Sequence, residues 1–403
     1  MDIAATGAAA LGRRTIHFVN IAHALDHFVL LIFPTAVIAI AAGRGLAYSE
    51  LIGLATGAFV AFGLCSLPAG WLADRIGRRN LLAAFFLGCG LLCLLLAAAT
   101  EPWHFAVGLL VLGAFTAIYH PVGSAMLVSH TTRLGRDIGI NGVWGNLGAA
   151  AASGITAAIA AAFGWEAAFA VPGLVCLAIG VLFMILVPTD GDTIAKAKAA
   201  TTAAIAIASP LRLLAVFTIA LVAGGMSFNL ATIALPKVID ERLADALPLW
   251  LVGSIATAIF AIAAVTQLAV GRLIDRHPLP VLFVAVSLFQ PLGFVIAATS
   301  TGWPLLLGLV LTLSALYGQV TINDAVIARY VPGRYRAKAF GIRYFLGFTT
   351  AGLAVPLIAF AHRIDGFALV LAIATAFGAA TFACALLTRL LTRPAAAPPV
   401  AAE

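Results

Sequence analysis

The sequence predicts an all-α integral membrane protein of twelve transmembrane helices in two pseudo-symmetric six-helix halves. Three observations predict it. Of the 403 residues, 63% are hydrophobic and 10% charged, with a mean hydropathy of +1.10, whereas a soluble domain carries roughly a quarter charged residues and under half apolar ones. The apolar residues gather into twelve runs near the ~20 residues that cross a bilayer. Motifs also recur about 200 residues apart, as in transporters built from repeats. The 38 glycines suit spanning helices, which tolerate glycine well.

Taken in order, residues 1–15 form an N-terminal segment and 16–42 the first span, too long for the core of a cleavable leader and carrying His and Asp inside. Span two (50–73) stops at Asp74 and Arg75, and span three (80–99) starts after Arg78 and Arg79. Span four (103–128) follows Glu101 and Pro102, span five (138–163) follows Arg136 and Asp137, and span six (167–187) ends at Pro188. The longest polar stretch, 188–209, reads as a linker between two bundles, 16–187 and 210–391. In the second bundle, spans seven (210–238) and eight (249–273) flank Asp240, Glu241 and Arg242. Spans nine (280–298), ten (304–328), eleven (337–361) and twelve (367–391) are parted by short Gly, Pro and charged clusters. Residues 392–403 form a tail.

Basic residues set the orientation, because cytoplasmic loops retain excess Lys and Arg. With the N-terminus inside, eighteen of the 23 fall in inner segments and four in outer ones (Arg44, Lys237, Arg242 and Arg363), leaving Arg343 within span eleven. Both termini are therefore expected in the cytoplasm. This distribution accounts for the net charge of +7 without a basic patch for nucleic acid. The five cysteines all lie in apolar runs, so no disulfide framework is expected. Cys89 and Cys93 share a helix face but read as packing residues, and no metal site is expected.

The halves repeat in detail. Trp103, Gly108 and Arg136 align with Trp303, Gly308 and Arg336, Gly70, Asp74 and Arg75 with Gly271, Asp275 and Arg276, and Pro34 with Pro236. Between spans two and three, Gly70-Trp-Leu-Ala-Asp74-Arg75-Ile-Gly77-Arg78-Arg79 combines a glycine that permits close helix approach, a glycine for a tight turn, and an Asp that can pair with a loop arginine. This arrangement resembles the loop signature of the major facilitator superfamily. The resemblance implies that fold, and a cytoplasmic latch at Gly70, Asp74, Arg75, Gly77, Arg78 and Arg79. The copy at Asp275 and Arg276 is followed by His277 and Pro278, and so carries half the pattern. Tyr119-His120-Pro121, Ser124, Gly142, Gly145, Asn146, Gly148, His23 and Asp26 together are similar to the fosmidomycin-resistance branch, which implies small-molecule efflux and drug resistance. The Gly-Pro signature of many proton-coupled antiporters is missing from span five, where no Pro follows Gly145.

Ionisable groups are costly at the bilayer centre, so those retained there are candidate sites. His23, Asp26 and His27 follow i, i+3, i+4 spacing with Asn20 one turn earlier, and so share a face. They serve substrate or proton, or else form a structural cluster. His120 precedes Pro121, whose missing N–H frees a carbonyl that His120 can satisfy. It is a ligand or that partner. Asn323 and Asp324 lie toward the end of span ten, where Asp324 can also reach water. Arg343 and Tyr344 open span eleven, and Arg343 needs a counter-charge from Asp324 or from an anionic cargo. Gly139, Gly142, Gly145 and Gly148 form a stripe read as a rocking interface.

No nucleotide loop or catalytic cluster is visible, so neither an enzyme nor a cofactor is expected, and energy must come from a gradient. The expected protein is a monomeric secondary transporter of a bacterial inner membrane, embedded in the lipid bilayer, moving a small-molecule substrate by proton antiport. Uptake of a metabolite or of copper is the alternative within this class, and a membrane-embedded sensor or enzyme the alternative outside it. Four methionines, no two of them at helical spacing, give copper little support.

Overall fold

The structure, a computed structural model, describes residues 3–131, 134–188, 210–243, 247–331 and 333–392. Most of the linker expected at 188–209 and nearly all of the tail lie outside that set, as do the side chains of Asp74 and Tyr344. Every regular element among the described residues is helical. The first pass is α1 (Ile3–Leu30) with α2 (Ile32–Arg44), and the second is α3 (Tyr48–Gly53) with α4 (Thr56–Ile76). The third is α5 (Arg78–Ala97), and the fourth is α6 (Pro102–Thr116) with α7 (Tyr119–His130). Single helices follow: α8 (Leu134–Phe163), α9 (Trp165–Leu186), α10 (Pro210–Arg242), α11 (Leu249–Ile274), α12 (Leu279–Thr299) and α13 (Gly302–Tyr330). The last run, α14 (Gly333–Leu391), has 59 residues, a straight length of roughly 90 Å against a bilayer core of about 30 Å. It turns at Asp365 and Gly366, both non-helical, Gly366 at φ 55°, and so supplies passes eleven and twelve. The twelve expected spans are present.

Two breaks have a common cause. A proline ring excludes the carbonyl four residues earlier. Pro34 does this to Leu30, and the first pass breaks at Leu31. Pro121 does it to Ala117, and the fourth pass breaks across Ala117 and Ile118. Pro236, the repeat partner of Pro34, sits inside an unbroken α10.

Lipid offers no hydrophobic drive between helices, so close packing at small residues holds them together. Gly148 of pass five meets the backbone of Ala24 in pass one, and Gly225 of pass seven meets Thr350 of pass eleven. Gly113 packs on Ala58 (passes four and two), and Gly318 on Val270 (ten and eight). Gly90 faces Gly173 (three and six), and Gly378 faces Pro291 (twelve and nine). Each pairing in one half thus has its counterpart in the other. The halves meet along two seams, Gly154 and Gly253 joining passes five and eight, and Gly352 against Val60 joining eleven and two. These seams exchange when the halves exchange. The Gly139 to Gly148 stripe is not such a seam. Gly145 and Gly148 pack on the first pass of their own half, while a side chain at Gly139 or Gly142 would meet nothing within 4 Å.

The repeat extends to polar caps. Arg44 donates to the carbonyls of Ala99 and Thr100, and Arg242 to those of Ala298 and Ser300. Each arginine ends the first pass of its half and caps the third.

Candidate functional site

The i, i+3, i+4 spacing in α1 places His23, Asp26 and His27 on one face, near the middle of the Ala10–Arg44 span. The break ahead of Pro121 restarts the fourth pass at Tyr119, so Tyr119 and His120 open a new helix beside that face. His120 Nε2 lies 3.4 Å from Asp26 Oδ2, with the Asp26 side chain fully buried and that of His120 18% exposed. The His120 ring is 5.5 Å from that of His23 and 5.7 Å from that of His27, and the His23 and His27 rings are 5.1 Å apart. Tyr119 stacks on His23 at 4.7 Å.

Pass five anchors the group. His23 Nδ1 donates to the Asn141 carbonyl at 2.8 Å. Since a carbonyl only accepts, the neutral ring keeps its lone pair on Nε2. Tyr119 Oη–H donates to Asn141 Oδ1 at 3.0 Å, and Asn141 Nδ2–H to Asn20 Oδ1 at 2.9 Å. Gly145 is required here, because a Cβ at that position would stand 2.5 Å from His23 Nε2. The sequence placed His23, Asp26, His27 and Asn20 on one face, and the structure adds His120. It also makes Asn141 and Tyr119 the hub of the hydrogen bonding. Nothing near Asn141 in sequence points to its partners, 22 and 121 residues away.

In the second half, Arg343 Nη1 and Asp324 Oδ1 are 2.8 Å apart, the arginine side chain 9% exposed and the carboxylate 42%. Arg343 Nη2 also donates to the Val320 carbonyl at 3.2 Å. Of the two counter-charges expected for Arg343, the structure supplies Asp324. Asn323 is buried, and one turn back Gln319 accepts from Gln290 of pass nine.

At the loop between passes two and three, Gly77 holds φ 87°, as the expected tight turn requires. Arg79 donates to the carbonyls of Met184 at 2.5 Å and Val187 at 2.9 Å, placing a cation on the negative end of pass six. Arg75 lies 3.7 Å over the Trp71 ring, and Arg78 is half-buried at the start of α5. Gly70 faces Pro121 across an ordinary contact of 3.7 Å for an added Cβ, so a methyl group would fit there. Asp275 and Arg276 are exposed at the end of α11.

Sequence reasoning missed a network on the face opposite the chain ends. Glu241 lies 3.3 Å from Lys237 and 3.1 Å from His362 Nε2. Tyr48 brings its ring to 5.0 Å from that of His362 and 5.7 Å from Lys237 Nζ. Passes two, seven and eleven meet there, tying one half to the other. The residues are scattered over some 300 positions, so no local pattern announces them. Nearer mid-depth, Asn146 donates to Gln267 of the other half at 2.8 Å.

Three comparisons bear on this arrangement. Residues 17–324 match the Major Facilitator Superfamily family profile. Over 163 residues the chain is 29% identical to the membrane sensor protein UhpC of Escherichia coli K12, and over 163 residues 26% identical to UhpC of Salmonella typhimurium LT2. Each match covers 40% of this chain and 37% of the relative, so the chain spans well under half the length of these curated relatives. Among solved structures, the nucleoside transporter NupG superposes with a TM-score of 0.72 at 13% identity, covering 94% of this chain and 100% of that one. The xylose transporter XylE of E. coli, in an inward open conformation, gives 0.72 at 12% identity, covering 95% and 96%. At such identities the likeness is one of fold.

Proposed function

The chain belongs to the Major Facilitator Superfamily, and from that premise we propose a secondary active transporter that moves a small organic molecule across a bacterial inner membrane by alternating access, as proton-coupled efflux. The observation that carries this reading is the group formed by His23, Asp26, His27 and His120. A carboxylate fully buried at mid-span beside an imidazole costs about 2.5–3.5 kcal/mol if charged with no compensation. Proton transfer to or from it, as the halves move, turns that cost into coupling. Asn323, Asp324, Arg343 and Tyr344 are assigned as the second half's contribution to the pathway, on the strength of the Arg343–Asp324 ion pair. Gly70, Asp74, Arg75, Gly77, Arg78 and Arg79 act as the cytoplasmic latch, with Asp275 and Arg276 as its partial copy. The branch resemblance in passes one, four and five supports efflux, and the eighteen-to-four basic asymmetry supports cytoplasmic termini.

A resistance screen comparing a deletion strain with its complement identifies the cargo, and flux in proteoliposomes then tests coupling. Asp26→Asn is expected to abolish flux driven by a pH gradient while counterflow exchange of the cargo persists. Gradient-driven accumulation at the parent rate would refute the proton role. A second reading, ligand sensing without transport, draws support from the likeness to UhpC. It predicts saturable cargo binding with no counterflow in the wild-type chain.

A further inference from the structure

Three imidazoles and a carboxylate converge on one spot from two passes, an arrangement that exceeds what packing or a single proton requires. One ring nitrogen from each of His23, His27 and His120 lies within 4.8 Å of the others, and all three residues are half-buried. Asp26 Oδ2 stands 3.4 Å from His120 Nε2. That is long for a charge-assisted hydrogen bond of about 2.7–2.9 Å. It equals the edge of a tetrahedron whose arms are the ~2.0–2.1 Å of zinc–imidazole and zinc–carboxylate bonds, roughly 3.4 Å. The other Asp26 oxygen is buried with no hydrogen-bond partner among the described residues, so the carboxylate is not satisfied by the protein alone. His23 shows the outer-shell feature of a metal ligand, one nitrogen held by the Asn141 carbonyl and the other left as a lone pair.

We propose that His23, Asp26, His27 and His120 form a binding site for a divalent first-row transition ion of the zinc class. The donor set decides the class. Three neutral imidazoles and one carboxylate suit zinc, nickel, cobalt or cupric ions, whereas magnesium and calcium take oxygen donors and cuprous ions favour thiolates and thioethers. The ion neutralises the buried carboxylate, and ring rotations on the order of 1 Å bring the nitrogens to bonding distance. The His120 side chain, 18% exposed, leaves a way in.

The test uses the full chain in detergent, purified with a tag that contains no histidine. Zinc ions are titrated by equilibrium dialysis, and cobalt ions by visible absorption, where four-coordinate cobalt gives far stronger bands than six-coordinate. The wild type is expected to take about one ion per chain. His27→Gln and His120→Gln are each expected to weaken binding at least about tenfold and to remove the strong cobalt bands. His104→Gln and His130→Gln, which lie outside the group, are expected to change neither. Melting transitions check folding, and Asp26→Asn stands in for any variant that does not fold. Wild-type affinity no greater than that of the cluster variants, or six-coordinate cobalt alone, overturns the proposal. The measurement needs neither gradient nor cargo, so its failure and a failure of proton coupling are separately visible.

Discussion

Asp324 and Arg343 sit between two energetic regimes. Exposed ion pairs contribute about 0.2–1 kcal/mol, whereas removing one partner of a buried pair costs about 3–5 kcal/mol. Here the guanidinium is nearly buried and the carboxylate is 42% exposed. Asp324→Asn strands the less hydrated partner and is expected to cost roughly 1–3 kcal/mol. Arg343→Gln should cost less, because the remaining carboxylate reaches water. The double variant is expected to melt above Asp324→Asn in detergent, and additive losses would show that the two groups act separately. At this scale the sequence was legible wherever one helix carried the pattern, as with His23, Asp26 and His27. It was open where a group needed a partner on another pass. Arg343 demanded a counter-charge, but spacing could not choose between Asp324 and a cargo anion, because helix periodicity says nothing of which faces meet.

Among the elements, the fourth pass owes its shape to one residue. Pro121→Ala restores the N–H that can bond the Ala117 carbonyl, so the break at Ala117 and Ile118 should close into continuous helix. His120 would then turn away from Asp26. Unchanged or raised thermal stability with much reduced flux is the expected result, and full transport would separate the cluster's geometry from the activity. For the loop, Asp74→Asn is expected to leave insertion and melting intact while slowing transport severely, since a latch contact biases two conformations without binding cargo. Flux equal to the parent would remove the latch role. All twelve passes were legible, because length and apolarity suffice to define them. Their breaks were not. Pro34 and Pro236 match in the repeat, yet only Pro34 is accompanied by a break, so whether a proline interrupts a helix depends on neighbours that a linear pattern does not contain.

For the whole molecule, alternating access requires the halves to part on the face opposite the chain ends. A Cβ built on Gly53 would lie 3.7 Å from that of Ala359, within the ~3.5–4.5 Å that a disulfide spans. Gly53→Cys with Ala359→Cys, in a chain whose five native cysteines are replaced, is expected to stop flux on oxidation and regain it on reduction. Unchanged flux in the oxidised protein would mean that the halves do not separate there. The duplication was legible from motif offsets near 200 residues, and the mirrored helix pairings bear it out. The partner of the glycine stripe was not legible, because a stripe marks close packing but not with which helix, and Gly145 and Gly148 pack on the first pass of their own half. The halves themselves meet at two glycine-lined seams that exchange with the halves, and this contact carries a mechanical corollary. Two bodies packed closely along such seams tip more readily than they slide past each other. Lateral pressure in a bilayer differs with depth, so lipid around such a pair of bodies is expected to push along the tipping coordinate, and flux compared between vesicles of different lipid composition would show it.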